Sequence, residues 1–194
     1  VVDVVRRAAE EIFMPFTVGG GVKSVEDFSR LLNNGADKVS VNTAAVQNPT
    51  LITQAANRFG AQCVVLSIDY AYRTDGKPEV FINGGKQPTG LHPVDWAKQG
   101  EILGAGEILL TCVDRDGTRN GLDIPLTRQV AEQVSVPVIT SGGCGLASHF
   151  VDGFIQGKAS AVSAGTFFCF KDQNPMQARA HIANAGIPIR LHHP

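Results

Sequence analysis

Three features predict an α/β fold: short β-branched runs alternating with segments of helical period, a glycine or small polar residue after nearly every run, and an internal repeat. The fold class they point to is a (βα)8 TIM-type barrel with half-barrel duplication, of which six strands are seen. The runs are residues 16–18 (FTV), 38–41 (KVSV), 63–68 (CVVLSI), 107–110 (EILL), 137–140 (PVIT) and 160–163 (SAVS), short and largely apolar as buried parallel strands are. Residues 24–34, 49–59, 93–103, 124–134 and 147–156 between them carry helical spacing, and flanking helices are expected at 3–12 and 175–185. Start signals are Ser24 with Asp27 three residues later, Asn48 before Pro49, and Asn174 before Pro175. Stop signals are Gly35, Gly60, Gly104, Gly157 and Gly186, where a left-handed residue costs least.

The glycines separate a barrel from an open doubly wound sheet. A dinucleotide-binding sheet concentrates them in one turn after its first strand. Here Gly19-Gly20-Gly21, Asn42-Thr43, Asp69, Asp114-Arg115-Asp116-Gly117, Ser141-Gly142-Gly143 and Gly165-Thr166 follow successive runs, as contributions to a barrel mouth do. A complete eightfold barrel of about 250 residues opens with a strand. This sequence opens with residues of helical period, so the first two strands are expected to be lacking and residues 1–194 are read as a single incomplete barrel domain, strands three to eight.

Thr17-Val18-Gly19-Gly20 resembles Thr140-Ser141-Gly142-Gly143, and residues 36–43 (ADKVSVNT) align with 159–166 (ASAVSAGT) at the same offset of 123. Two strand–Gly–Gly loops related by a pseudo-twofold axis would make two anion sites from backbone N–H groups and helix N-termini. Such a cavity suits a substrate phosphorylated at both ends. Glycine pairs also relieve crowding at tight turns, but recurrence in register favours the anion sites.

Composition narrows the function class. With 43% hydrophobic and 18% charged residues the chain can bury a sizeable core, which excludes a disordered tail. Seventeen Lys plus Arg against 18 Asp plus Glu leave a net charge of −1 without a basic stripe, so no nucleic acid is expected as partner. No apolar run approaches the roughly 20 residues of a membrane span, and Asp3, Arg6, Arg7 and Glu10 interrupt the place of a signal peptide's apolar block, so no membrane contact and a cytoplasmic location are expected. Cys63, Cys112, Cys144 and Cys169 lack a C-x-x-C pair and are expected to be reduced. Cys112, Cys144 and Cys169 with His149 lack metal-ligand spacing; no metal and no cofactor are expected. Asp95 and Trp96 read as the polar start and packed face of an outer helix, and His192 and His193 as an exposed tail.

The stretches TVGGGVKSVEDFSRLLNNGADKVSVNTAAVQNP, SIDY, GAGEILLTCVDRDGTRNGLD, TSGGCG and NAGIPIRL together resemble the cyclase subunit of imidazole glycerol phosphate synthase, from histidine biosynthesis. The resemblance covers essentially the whole chain, and GADKVS, GAGEILLT and DRDGT stand in the family's order. It implies an enzyme, a lyase-type cyclase in a glutamine amidotransferase complex. Ammonia from a glutaminase partner crosses the barrel and attacks a bis-phosphorylated ribonucleotide, giving imidazole glycerol phosphate and aminoimidazole carboxamide ribonucleotide.

Residue by residue, the resemblance implies that Asp69 is one of two catalytic aspartates, the other belonging to a first strand outside this chain. A buried carboxylate beside anions has the raised proton affinity that such work needs. One phosphate site matches Gly21, Asn42 and Thr43, and the other Gly117, Ser141, Gly142, Gly143, Gly165 and Thr166. Asp116 and Thr111 are candidate substrate contacts, although Asp114 and Asp116 can equally form a loop network with Arg115. Lys38 and Glu107 match two members of a charged ammonia gate at the barrel bottom, and Asp37 a position facing the glutaminase, which would dock as a heterodimer partner on the N-terminal face.

Some residues depart from the family pattern. Asp69-Tyr70-Ala71-Tyr72-Arg73 stands where an Asp-Ala-Lys-Arg run is usual, and Thr166-Phe167-Phe168-Cys169-Phe170 where Ser-x-Phe-His-Phe is. Residues 170–190 are also similar to paralogues associated with surface polysaccharides, which relay ammonia to a sugar amidotransferase. That relay is the alternative function, because a shared fold does not fix function; a non-catalytic barrel remnant is a third, from the expected lack of the first two strands and of the first catalytic Asp.

Overall fold

A computed structural model describes residues 2–169 and 174–190; the expected tail at His192 and His193 lies outside them. In chain order the strands are β1 (Thr17–Gly19), β2 (Lys38–Val41), β3 (Val64–Tyr72), β4 (Pro78–Ile82), β5 (Gln87–Pro88), β6 (Glu107–Cys112), β7 (Val138–Ser141) and β8 (Ala161–Val162). The helices are α1 (Val2–Glu11), α2 (Val25–Leu32), α3 (Thr43–Gln47), α4 (Thr50–Phe59), α5 (Pro93–Leu103), α6 (Ile124–Gln133), α7 (Ala147–Ile155), α8 (Thr166–Cys169) and α9 (Pro175–Asn184). No helix among the described residues is long and apolar enough to cross a membrane.

The six expected strands form a curled parallel sheet in the order β1-β2-β3-β6-β7-β8, the partial barrel that the alternation of elements predicts. Because all six run the same way, every strand-to-helix loop opens on one rim. The duplicated strand–Gly–Gly loops follow β1 and β7, four strand positions apart, about 19 Å along the sheet. Four positions are half the circumference of an eight-stranded barrel.

Register divides each strand between two faces. Val39, Val41, Leu66, Ile68, Ile108, Leu110 and Val138 point to the helices and are buried. They pack on Phe28 and Leu31 of α2, Leu51 and Ile52 of α4, Trp96 of α5, and Leu126 and Val130 of α6. Each such side chain contributes about 1.5–3 kcal/mol. The alternate positions, including Lys38, Ser40, Ser67, Asp69, Glu107, Thr111 and Ser141, share the concave face and are only half-buried. A second cluster of Leu122, Phe150, Phe167 and Ile182 seals the β8 end.

The helix signals hold where a side chain reaches an amide. Ser24 Oγ accepts from Asp27 N at 3.2 Å while Asp27 accepts from Ser24 N, a reciprocal cap that recurs with Asn174 and Gln177. Asn48 does not cap: its Oδ1 accepts instead from the Thr50 hydroxyl at 2.6 Å, and Pro49 precedes the helix. Gly157 is not left-handed either; the next residue, Lys158, takes that conformation at φ 55°. Gly157 is required for space, since a Cβ would meet the Gly153 carbonyl at 2.7 Å.

The largest departure is an antiparallel hairpin. β3 runs to Tyr72, beyond the expected 63–68, and β4 and β5 fold back on it. Asp69 therefore lies within a strand, paired with Thr111 of β6 on one side and Phe81 of β4 on the other, and does not follow the strand as expected. Where β2 ends and turns into α3, β4 takes over its place beside β3.

A test of this packing is Gly106, just before β6, where an added methyl would be driven into the Ala61 carbonyl oxygen. Gly106→Ala is expected to lower stability by about 1–3 kcal/mol in urea denaturation.

Candidate functional site

The concave face and the rim meet at Asp69. Its Oδ2 accepts from Asn42 Nδ2 at 3.0 Å, and the second amide proton of Asn42 goes to the Phe81 carbonyl at 3.3 Å. Thr43 Oγ1 accepts from Asn83 N at 3.0 Å. These two bonds from neighbouring residues pin the β4–β5 hairpin over the end of β2. Burial pushes the Asp69 carboxyl above the ordinary carboxylate value, the hydrogen bond from Asn42 opposes this, and the charge of Asp116 adds to the rise.

A cavity of about 640 Å³ lies in front of Asp69. Gly21, Asn42 and Thr43, expected as one phosphate site, line it together with Asp69. The left-handed Gly20 and Gly21 have open space where a side chain would stand, which leaves their backbone accessible to a ligand. Lys23, Asn83 and Gly84 also line the cavity and were not among the expected site residues. A lysine two positions beyond the glycine triplet was the available signal for Lys23. The Asn83-Gly84 pair, a hairpin-turn signal between two short runs, was the signal for the others.

Two hydrogen-bonding details bear on the chemistry of this loop. Both side-chain N–H groups of Asn42 are already donated within the protein, and its Oδ1 is a buried acceptor without a partner. An anion can therefore meet Asn42 only through its backbone. The approach to α2 is also filled, because Asp27 Oδ2 accepts from the amides of Lys23 at 2.9 Å and Ser24 at 3.2 Å. The amides at the mouth of that helix thus already hold the chain's own carboxylate.

The second expected set lies on the same rim but does not line this cavity. Ser141 pairs with Thr111, which pairs with Asp69, so the three concave-facing residues form one row spanning about 10 Å. Gly142 and Gly143 are buried beneath the loop after β6, where Gly121 N donates to the Gly143 carbonyl at 2.8 Å. Gly117 and Gly165 are exposed, and Thr166 begins α8 beside β8. The duplication carries into backbone conformation at one position of the glycine pair: Gly20 has φ 96° and Gly143 φ 98°. Here a histidine does what Asp27 does in the first half, with His149 Nδ1 accepting from the amides of Gly145 at 3.0 Å and Leu146 at 3.2 Å. That hydrogen bonding turns the imidazole Nδ1 to the backbone, while Cys112 and Cys144 are buried and Cys169 is exposed.

In the loop after β6, Asp114 Oδ2 accepts from Tyr72 N at 2.7 Å and Arg115 Nη1 donates to the Gly121 carbonyl at 3.3 Å. Asp116 is exposed, and its charge reaches Asp69. At the opposite end of the concave face, Lys38 Nζ and Glu107 Oε2 form an ion pair of 2.9 Å across β3. Asp37 is exposed, and its Oδ2 accepts from Phe16 N at 2.9 Å, which fastens the start of β1 to that of β2.

The raised proton affinity of Asp69 has a consequence for stability. Between the ordinary carboxylate value and the higher folded-state value, the folded protein keeps a proton that the unfolded chain has lost. This contribution is complete below the ordinary value, and stability falls as pH rises through the folded-state value. Asp69→Asn is expected to flatten that decline and raise stability at neutral pH, as measured by urea denaturation from acid to neutral pH.

The chain is thus a parallel partial barrel with both glycine loops on one rim and a protonatable carboxylate on its concave face. A family model described as "Histidine biosynthesis protein" matches residues 1–174, and the chain belongs to that family.

Proposed function

We propose that this chain performs the ammonia-dependent cyclase step of histidine biosynthesis, forming imidazole glycerol phosphate and aminoimidazole carboxamide ribonucleotide from a bis-phosphorylated ribonucleotide. The observation that carries the reading is Asp69. It stands at the back of a cavity lined by one glycine loop, on the same concave row as Ser141 of the duplicated loop, with its proton affinity raised by burial. A carboxyl of this kind holds a proton closer to neutral pH than an exposed one and can pass it to and from substrate. Gly20 and Gly21 would receive one phosphate through their backbone, with Lys23 supplying positive charge. The loops carrying Gly117, Ser141, Gly142, Gly143, Gly165 and Thr166 would receive the other.

Ammonia would enter from a glutaminase docked on the N-terminal end of the sheet, where Asp37 is exposed and the Lys38–Glu107 pair crosses the concave face. An ion pair that spans one intervening strand can open and reclose without disturbing the sheet beneath it, which is what a gate requires.

The run around Asp69 favours a second reading, the ammonia relay to a sugar amidotransferase. Ala71 shares the concave face with Asp69 at the position where the resemblance leads one to expect a lysine, so the ammonium group of the histidine pathway's pattern is replaced by a methyl.

Asp69→Asn is expected to lower kcat for ammonia-dependent turnover by about 10²–10⁴-fold, the usual contribution of a general acid or base, while ribonucleotide binding by calorimetry is retained. Unchanged turnover would remove Asp69 from its role. Glutaminase association without ribonucleotide binding would favour the relay, and association with no glutaminase would count against both.

A further inference from the structure

Behind the strand that presents Asp69 lies a buried carboxylate that the proposed chemistry does not use. Asp123 is 3% exposed. Its Oδ2 accepts from the Tyr70 hydroxyl at 2.9 Å and the Tyr72 hydroxyl at 2.6 Å, and its Oδ1 accepts from Leu126 N at 3.4 Å at the start of α6. No cation pairs with it among the described residues, so these three donors are what makes its burial affordable. The two tyrosine rings meet edge to face, with centroids 6.2 Å apart.

Strand alternation gives the clamp its direction. Tyr70 and Tyr72 project from the helix-facing side of β3, and Asp69 from the concave side. Two further bonds join the same strand end to the loop after β6: Val113 N donates to the Tyr70 carbonyl at 2.8 Å, and Tyr72 N to Asp114 Oδ2 at 2.7 Å. Residues 113–123 are thus fastened to β3 at four points, and that loop carries Asp116.

We propose that Asp123 is a positioning residue. Through the hydroxyls of Tyr70 and Tyr72 it holds the loop bearing Asp116 against the end of β3, and so fixes where Asp116 stands relative to Asp69, the carboxyl that lines the cavity. The groups around Asp69 are Asn42 from β2's end, Phe81 from β4, Thr111 from β6 and Asp116 from the loop, with Lys23 on the cavity wall and the Lys38–Glu107 pair lower on the same face. Around the clamp itself are the Cys112 thiol, Asp114 and Arg115. Asp116 is the one acidic neighbour on that loop whose charge raises the proton affinity of Asp69. Releasing the clamp lets that charge move away, which favours the ionised form of Asp69.

The inference rests on the proposed role of Asp69 for its kinetic arm only. The Asp69 carboxyl is followed by carbon NMR from acid to neutral pH in the wild-type chain, in Tyr72→Phe and in the double variant Tyr70→Phe/Tyr72→Phe, with Asp69→Asn used to assign the signal. The midpoint is expected to move down, toward the ordinary carboxylate value, in Tyr72→Phe and further in the double variant. The acid limb of kcat/KM should follow it, and kcat should fall about tenfold with KM within about twofold. Tyr72 is half exposed and its ring is kept, so the single variant decides the matter should the double one not fold. A lowered Tm with the Asp69 midpoint unmoved would make the clamp purely structural and overturn the proposal. Absence of any turnover of the bis-phosphate by the wild-type chain would sink the functional reading and leave the titration to decide this one.

Discussion

The alternation of side chains along β2, β3, β6 and β7 is the constraint on which the rest depends. Successive residues must face opposite ways, so each hydrophobic residue committed to the helix layer places its neighbour on the concave face. Val39 and Val41 set Lys38 and Ser40; Leu66 and Ile68 set Ser67 and Asp69; Ile108 and Leu110 set Glu107 and Thr111. A slip of one residue in β3 would bury Asp69 among the helices and turn Ile68 to the cavity, a loss of both core and site. The position of the carboxyl is therefore enforced by burial of its apolar neighbours as much as by its own hydrogen bond.

The end of β3 shows how a local extension becomes a site. Beyond the level where β2 turns into α3, β3 would lose one neighbour, and the hairpin supplies the replacement by pairing Asp69 with Phe81 and Tyr70 with Val80. The strand presenting Asp69 is thus held on both edges and clamped from behind by Asp123, while its concave side remains half-open. Rigid backbone and an accessible side chain are the combination that proton transfer requires. The two side chains that tie the hairpin down, Asn42 and Thr43, belong to the same loop that lines the cavity, so the wall of the cavity and its floor share their fastenings.

The two halves of the duplication have diverged in how they close their helices. The Asp27 carboxylate holds a pair of amides ahead of α2, and Nδ1 of His149 holds the corresponding pair ahead of α7. One half carries a fixed negative charge near its loop and the other an imidazole. The loops also differ in exposure. Gly21 stands in the cavity wall, whereas Gly142 and Gly143 are covered by residues 113–123.

Much of this architecture is written locally. Runs such as VVLSI and EILL, the Ser24–Asp27 and Asn174–Gln177 caps, and the repeated glycine pair each state their structure within a few residues, because pleat, capping and left-handed backbone are short-range matters. Asp69 was legible for the same reason, as a carboxylate ending an apolar run. The hairpin is not legible in the sequence although Asn83-Gly84 announces a turn, since β4 opens with a proline and β5 is two residues long, too little periodicity to mark strands. What only the tertiary structure decided is which groups meet: Asn42 with Asp69 and Phe81, Lys38 with Glu107, and Tyr70 and Tyr72 with Asp123 more than fifty residues away. Sequence by itself determined the alternation of elements and the chemistry available at each strand end. The partners, and with them the proton affinity of Asp69, follow from burial and approach between distant segments, which no local pattern encodes.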